Sequence, residues 1–280
     1  MIYVFGATNV DCLVKIKGKS YMYESNICNK DFKLGGVGAN LARSASNYSE
    51  VEFVTVLNEF IKSVGCKELT RSKLSITNSI VIENDNKCMY IDVLDENGLV
   101  IGASDMSLYD NVDLSFMDKI LSQIKDDDLI ILDANNRKVV EYVIKNSKGK
   151  KFLDAVSSVK LERIIDLLPY IYLIKVNNYE YELIKNIRND NILITNGSGG
   201  KIILDNKNYK FSHKVLDCIN PTGCGDTFFG AFVANINKGI KAAIEEAIVS
   251  AVACSQINES VPMLNDINKY SKTDLDIKWQ

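Results

Sequence analysis

Histidine is almost missing from this chain: His213 is the only one in 280 residues. A metal site built on imidazoles therefore lacks its partners. Ser-His-Asp hydrolysis would have to run through one residue with no nucleophile elbow beside it. Cysteine is present but unpaired in pattern. Cys12, Cys28, Cys66, Cys88, Cys218, Cys224 and Cys254 are odd in number and scattered, and no Cys-x-x-Cys occurs. Free thiols in a reducing cytoplasm fit that usage better than a disulfide framework or zinc. There is no basic excess; the net charge is -3, which gives no footing for nucleic acid or an anionic membrane surface. No apolar run is long enough to span a bilayer. The chain enters a strand and turn at once, Ile2-Tyr3-Val4-Phe5-Gly6, so no signal peptide is expected. Internal repeats, linkers and low-complexity segments are absent as well. What remains is an ordinary globular composition, long enough for one α/β domain over 1–280 with a small appendage.

The most informative stretch runs Asn220-Pro221-Thr222-Gly223-Cys224-Gly225-Asp226-Thr227-Phe228-Phe229-Gly230-Ala231. Pro221 places a loop there. Gly223 and Gly225 allow a tight turn and a close approach to a ligand. Phe228, Phe229, Ala231, Phe232 and Ile236 then recur at helical spacing. A glycine turn opening a helix aims unpaired N–H groups outward, with the positive end of the dipole behind them, and so makes a hole for an anion such as phosphate. Asp226 in the first turn reads in two ways: as a carboxylate that complements the dipole, or as a general base beside the anion hole. No Gly-Lys-Ser/Thr follows, so this is not a Walker A loop, and no protein-kinase motif set is present. Cys224 at a helix start is a candidate for a lowered thiol pKa, but reads first as the small-residue position of the loop.

Along the chain, strands are expected at 2–5, 12–16 and 51–56, a helix at 39–47, and a short helical connection at 58–75. Three further strands, 79–83, 88–94 and 99–104, have no helix between them, and Asp95-Glu96-Asn97-Gly98 is a hairpin signal. With 12–34 they form a small separate sheet. A helix is expected at 115–124. Strands at 129–132, 151–153, 171–174 and 192–195 then alternate with helices at 138–146, 160–167 and 178–184, which predicts a parallel sheet. A hairpin at 201–204 and 209–213 leads to the anion hole, and an alanine-rich helix spans 242–256. Polar groups collect where those strands end: Asp133, Asn135, Asp154, Lys175, Asn177 and Thr195. Open α/β sheets bind ligands at that edge. Asn9 and Asp11 suit vicinal hydroxyls or simple turn chemistry. Gly35-Gly36 ahead of Asn40 suits a close ligand or a plain strand-to-helix turn. Asn177 with Glu180 suits a helix cap or a hydrated magnesium. Thr195-Asn196-Gly197-Ser198-Gly199-Gly200 is in any case a tight turn.

Thr222-Gly223-Cys224-Gly225-Asp226-Thr227-Phe228 resembles the C-terminal signature of the ribokinase-like (PfkB) kinases. Three more stretches resemble that family in the same order: Gly6 to Asp11, Gly35-Gly36 to Asn40, and Asn177 to Glu180 with the Thr195–Gly200 loop after it. The resemblance covers nearly the whole chain. It departs at Asn220 and Pro221, where the family often has an acidic residue and Thr, and at a trimmed connection after Asn58. It implies a doubly wound, mostly parallel α/β sheet with a small β-sheet lid that excludes water from phosphoryl transfer. It also implies an ATP- and Mg2+-dependent kinase, and leaves room for a monovalent cation such as K+. On this resemblance Asn9, Asp11, Gly35, Gly36, Asn40 and Asp133 bind the acceptor substrate. Asp226 is the base, and the N–H groups of Gly223, Cys224 and Gly225 hold the transferring phosphoryl. Asn177, Thr195, Gly197, Gly200, Thr222 and Asn258 bind the nucleotide, and Glu180 orders Mg2+ through water.

Within the family, Ser25-Asn26 ahead of the Gly-Gly motif, the lid exit ending in Asp105-Met106, and Asp154-Ala155-Val156-Ser157 with Lys160 resemble pseudouridine kinases. The implied reaction is phosphorylation of the pseudouridine 5′-hydroxyl. Another nucleoside or a free sugar such as ribose or fructose is the alternative acceptor. A nucleoside-binding regulator on a kinase scaffold is the non-enzyme alternative, disfavoured by the intact Gly-x-Gly-Asp. The resemblance leans toward a homodimer through the lid.

Overall fold

The apolar run Ile2–Phe5 (β1) is buried along its whole length, as a strand covered on both faces must be. The computed structural model describes residues 1–83, 87–188 and 190–280. In chain order the other strands are β2 (Asn9–Ile16), β3 (Cys28–Gly35), β4 (Val51–Val54), β5 (Val56–Leu57), β6 (Leu74–Ser75), β7 (Ile80–Val81), β8 (Met89–Asp95), β9 (Gly98–Ser104), β10 (Leu129–Asp133), β11 (Lys150–Asp154), β12 (Leu173–Asn177), β13 (Ile192–Asn196), β14 (Gly199–Leu204), β15 (Lys207–Ser212) and β16 (Lys278–Trp279). Among the described residues the main sheet has the order β16-β15-β14-β13-β12-β11-β10-β1-β4-β6. Its strands from β13 to β6 pair in parallel. β14, β15 and β16 continue the sheet antiparallel, and the short β16 covers the exposed edge of β15.

Each face of this sheet has its own apolar core. One lies under the helices Val37–Ser46, Cys224–Asn235 and Ile240–Ser255, with Leu41, Phe229, Phe232 and Ile244 fully buried. The other lies under Arg137–Asn146 and Asn178–Ile184, with Val140, Val143 and Ile184 buried. Helices on both faces of a parallel sheet make the fold doubly wound. A second, four-stranded sheet, β3-β2-β8-β9, stands apart as the lid.

Several elements differ from their expected bounds. The lid strand β3 lies in what reads as a polar stretch, because its residues from Cys28 to Phe32 are exposed and carry no apolar alternation. β2 begins at Asn9, so Asn9 and Asp11 sit on a strand rather than in a turn. The expected strand 51–56 breaks into β4 and β5, and β5 pairs with β7 in a small sheet of its own, so the strand expected at 79–83 lies outside the lid. The connection after Asn58 holds two short helices, Glu59–Val64 and Cys66–Leu69, before β6. The expected helix 160–167 is a short turn of helix, Ser158–Glu162, followed by a 3-10 stretch, Ile165–Tyr170, that contains Pro169. Proline cannot continue an α-helix. The Asp205-Asn206 turn between β14 and β15 has φ of 50° and 62°, the left-handed pair that a two-residue hairpin favours.

Candidate active site

The parallel strands end in one row of charge. Asp133 at the end of β10 is in register with Asp154 at the end of β11, and Asp154 with Lys175 on β12. Lys175 Nζ lies 2.9 Å from Asp154 Oδ2, and both side chains are mostly buried. Asp154 Oδ1 also accepts from the Val156 N–H at 2.9 Å. Val156 holds φ at 64°, a costly conformation for a β-branched residue, so a strained turn is tied to this carboxylate. Burial by itself would lower the Lys175 pKa. Asp154, Asp226 and Glu180 around it outweigh burial and raise it.

The helix Cys224–Asn235 brings its N-terminus to this row. Gly223 caps it at φ 79°, and a Cβ there would lie 2.1 Å from the Ser260 carbonyl oxygen. Glycine alone fits both demands. One turn in, Thr227 N–H donates to Gly223 O at 2.8 Å, while Cys224 N–H reaches back to Pro221 O at 3.3 Å. The Cys224 N–H, expected to face the phosphoryl with those of Gly223 and Gly225, is thus already engaged, while the Gly225 and Asp226 N–H groups precede the intrahelical ladder. A Cβ on Gly225 would stand 3.1 Å from Lys175 Nζ, so glycine here lets the lysine up to the helix end. The Cys224 thiol is not activated. Its contact with Cys254 and its burial both raise its pKa.

Asp226 sits in that first turn, half-buried, and Asn40 Nδ2 donates to its Oδ2 at 2.8 Å. Burial, with Asp154 and Asp133 nearby, pushes its pKa up to about 7, against the pull of Lys175 and Asn40. Such a value suits a group that must take a proton near neutrality. Asn40 comes from the helix Val37–Ser46, which starts from Gly36 at φ 93°. A Cβ on Gly36 would strike Ala7 O, Thr8 Cα and Asn9 Oδ1, and one on Gly35 would lie 2.1 Å from Asp11 Oδ1. The Gly-Gly pair therefore serves backbone packing and the seating of Asp11. Asn9 Nδ2 donates to Asp11 Oδ1 at 2.8 Å. Burial pushes Asp11 up to about 6, against the Asn9 hydrogen bond and the Arg43 charge.

Two clefts flank the 219–222 loop. One, about 540 Å³, lies on the lid side and is polar: Asp11, Lys15, Lys33, Asp92, Thr222 and Asn258 line it among others. The other, also about 540 Å³, opens on the far side past Lys175, Asn177, Thr195 and Gly197, and is walled by Val215, Leu216, Phe228 and Val252. Gly225 belongs to its lining, and Pro221 to both. The structure thus brings Asp11, Gly35, Gly36 and Asn40 together on the lid side of Asp226. Asn177, Thr195 and Gly197 gather on the other side. Thr222 and Asn258, expected at the nucleotide, stand on the lid side instead. The Asn258 carbonyl accepts from Lys33 Nζ at 3.0 Å and Asn220 Nδ2 at 3.2 Å, tying loop to lid. Asp133 is buried beneath the site, where its carboxylate accepts from the N–H groups of Ala7 at 2.8 Å and Asn135 at 2.9 Å. Its pKa is pushed up to about 6 by burial. Gly200 packs against Ile194 O and the Phe211 ring, so it closes the β13–β14 hairpin.

Asn177 and Glu180 form a capping box: Glu180 N–H donates to Asn177 Oδ1 at 2.9 Å, and Asn177 N–H to Glu180 Oε2 at 2.7 Å. Burial raises the Glu180 pKa, as does Asp154, against the Asn177 bond and Lys175. The box uses Oε2, and Glu180 is itself buried. Among the described residues no three His, Cys, Asp or Glu side chains gather to cage an ion, and magnesium carried on phosphates needs only one or two carboxylates. Lys175 and Arg43 are the site residues that sequence reading passes over. Lys175 is one of several polar groups at the strand ends, and no motif gives it a role. Arg43 is the one charged residue of its helix, and no motif marks it.

Comparison with known proteins bears on family and fold. Residues 1–263 match the model of the pfkB family of carbohydrate kinases. The chain is 22% identical to the pseudouridine kinase of Escherichia coli over 192 residues, which is 66% of this chain and 61% of that protein's length. It is 24% identical to the ribokinase of Dictyostelium discoideum over 321 aligned positions, covering 95% of this chain and 99% of that one. A Clostridium perfringens protein solved as a candidate sugar kinase superposes with a TM-score of 0.82 at 23% identity, over 100% of this chain and 97% of its own.

Proposed function

The chain belongs to the pfkB family of carbohydrate kinases, and from that premise we propose that it transfers the γ-phosphoryl of ATP to the 5′-hydroxyl of pseudouridine. The observation that carries the reading is Asp226. It is a half-buried carboxylate in the first turn of a glycine-capped helix, next to Gly225, which lines the apolar-walled cleft, and Lys175 stands near the same helix end. A base, an anion hole and a cation at one point are the parts that phosphoryl transfer needs.

In this mechanism the acceptor lies in the lid-side cleft, with its ribose hydroxyls on Asp11 and Asn9. Asn40, already bonded to Asp226, orients the carboxylate toward the 5′-hydroxyl. Asp226 takes that proton as the oxygen attacks. The N–H groups at the helix start, with Lys175, stabilise charge on the transferring phosphoryl. The nucleotide occupies the second cleft, adenine against Val215, Leu216 and Val252. Asn177 and Glu180 would hold magnesium through water, and bound there it would neutralise phosphate charge. A monovalent cation such as K+ rests on family resemblance alone. The lid excludes competing water.

The pseudouridine assignment is supported by the Escherichia coli relative and by three stretches: Ser25-Asn26, Asp105-Met106 and Asp154 to Lys160. A second reading, a ribose or other free-sugar kinase, is favoured by the ribokinase relative, which aligns over nearly its full length. We read 1–280 as one kinase unit and its location as the cytoplasm, in keeping with seven free cysteines. No helix of the described residues is long and apolar enough to cross a membrane. A homodimer through the lid fits the exposed Phe32, Val100 and Ile101 there.

ADP release with Mg-ATP against pseudouridine, uridine, adenosine, ribose, fructose and a blank tests the function. Release with pseudouridine alone is the expected result. Release with ribose and not pseudouridine replaces the substrate and keeps the site. No release with any of them, despite ATP binding, favours the non-catalytic regulator.

A further inference from the structure

Arg43 is 2% exposed, and a buried guanidinium needs a reason. It stands one helical turn after Asn40. Its Nη2 donates to Asn40 Oδ1 at 2.5 Å and to Leu34 O at 3.3 Å, while its Nε is buried with no hydrogen-bond partner. On the other side of the same amide, Asn40 Nδ2 donates to Asp226 Oδ2 at 2.8 Å. We propose that Arg43 is a positioning residue for the transfer: it locks the Asn40 amide in the one orientation that presents a donor to the Asp226 carboxylate. This rests on Asp226 being the base.

The argument is one of donors and acceptors. An amide side chain is almost the same shape when flipped, so sterics cannot choose its orientation. Arginine has only donors and a carboxylate only acceptors. A flipped Asn40 would set NH2 against guanidinium N–H and oxygen against carboxylate, losing two charge-assisted bonds at once. An acidic side chain at 43 would oppose that orientation, and an apolar one would remove half of what fixes it. The cost of holding the charge there is real: burial lowers the Arg43 pKa, against Glu68, Asp11, Glu259 and Cys254 around it. Arg71 packs against the same turn, its Nη1 on Arg43 O at 3.2 Å.

The readout is the acid limb of kcat/KM, which reports the base in the free enzyme. The groups facing Asp226 are Lys175, Asp154, Asp133, Asn40, Lys160 and the Cys224–Cys254 pair. None of them is altered in the variants below except Asn40. Arg43→Met should move the limb upward by about one pH unit, since a carboxylate that loses a donor titrates higher. Arg43→Gln keeps an N–H for Asn40 and should leave the limb near its original position. In an Asn40→Ala background, Arg43→Met should add no further shift. An unmoved limb in Arg43→Met, or the same shift with and without Asn40, overturns the proposal. Should Arg43→Met not fold, the native protein answers by NMR. The Asn40 side-chain NH2 signals, assigned by their loss in Asn40→Ala, should titrate with the acid limb, and signals that do not titrate also overturn it. Full turnover in Asp226→Asn would instead remove the base itself, so the two failures read differently.

Discussion

At the scale of single residues, the site is a set of carboxylates kept from ionising freely. Asp226, Asp11 and Asp133 are all pushed upward by burial, and each is held by a different partner. Asp133 is held by two backbone amides, Asp11 by Asn9, and Asp226 by Asn40. Only Asp226 also lies in the first turn of a helix, next to the cleft-lining Gly225, which sets it apart as the proposed proton acceptor. Asp226→Asn keeps the shape and the Asn40 neighbour but cannot take a proton. We expect kcat to fall by about 10²–10⁴, with ATP and acceptor still bound in calorimetry. Turnover within about threefold of the native protein would take Asp226 out of the role.

At the scale of elements, the proposed anion hole depends on how one helix begins. Gly223 in the left-handed region, against Ser260 O, fixes the direction in which the first N–H groups point. Gly223→Ala forces a Cβ into that carbonyl and a strained φ at once, so we expect a loss of ~2 kcal/mol or more in unfolding free energy and a steep fall in kcat. Gly197 is the contrast. A Cβ added there would meet nothing within 4 Å, so Gly197→Ala should unfold within about 0.5 kcal/mol of the native protein. Equal destabilisation in urea titrations of the two variants would contradict this account of the glycines.

At the scale of the whole molecule, the raised carboxylates set how stability depends on pH. Their folded pKa values, about 6, 6 and 7 for Asp11, Asp133 and Asp226, lie above the ordinary 3.8. Between about pH 4 and 7 the folded state therefore binds more protons than the unfolded one, and stability falls as pH rises through that window. Above about pH 7 the penalty is complete and flat. Asp128 and Asp266, held below the ordinary value, act in the opposite sense and only at more acid pH. The ligand-free protein should melt about 2–6 °C higher at about pH 5.5 than at about pH 7.5. Asp226→Asn should flatten that slope and melt above the native protein at the higher pH. A Tm that rises across the same interval would contradict the burial of these groups.

The amino-acid sequence by itself determined the strand–helix alternation, because apolar period and glycine turns are local properties. It also determined the order of the motifs, since Gly35-Gly36, Asn177 to Glu180 and Gly223 to Asp226 each carry their chemistry within a few residues. It put β3 inside the 12–34 lid segment but without a strand pattern of its own, because a lid strand open to solvent needs no apolar pattern. Tertiary structure alone decided which polar groups share the site. Asn40 and Asp226 are 186 residues apart and meet at 2.8 Å, and Lys175 reaches the helix start only because β12 ends beneath Gly225. It placed Asn258 and Thr222 on the lid side and gave Asp133 two backbone N–H groups. It also gave Arg43 its role, since an arginine becomes a positioning group only when the fold buries it against one particular amide.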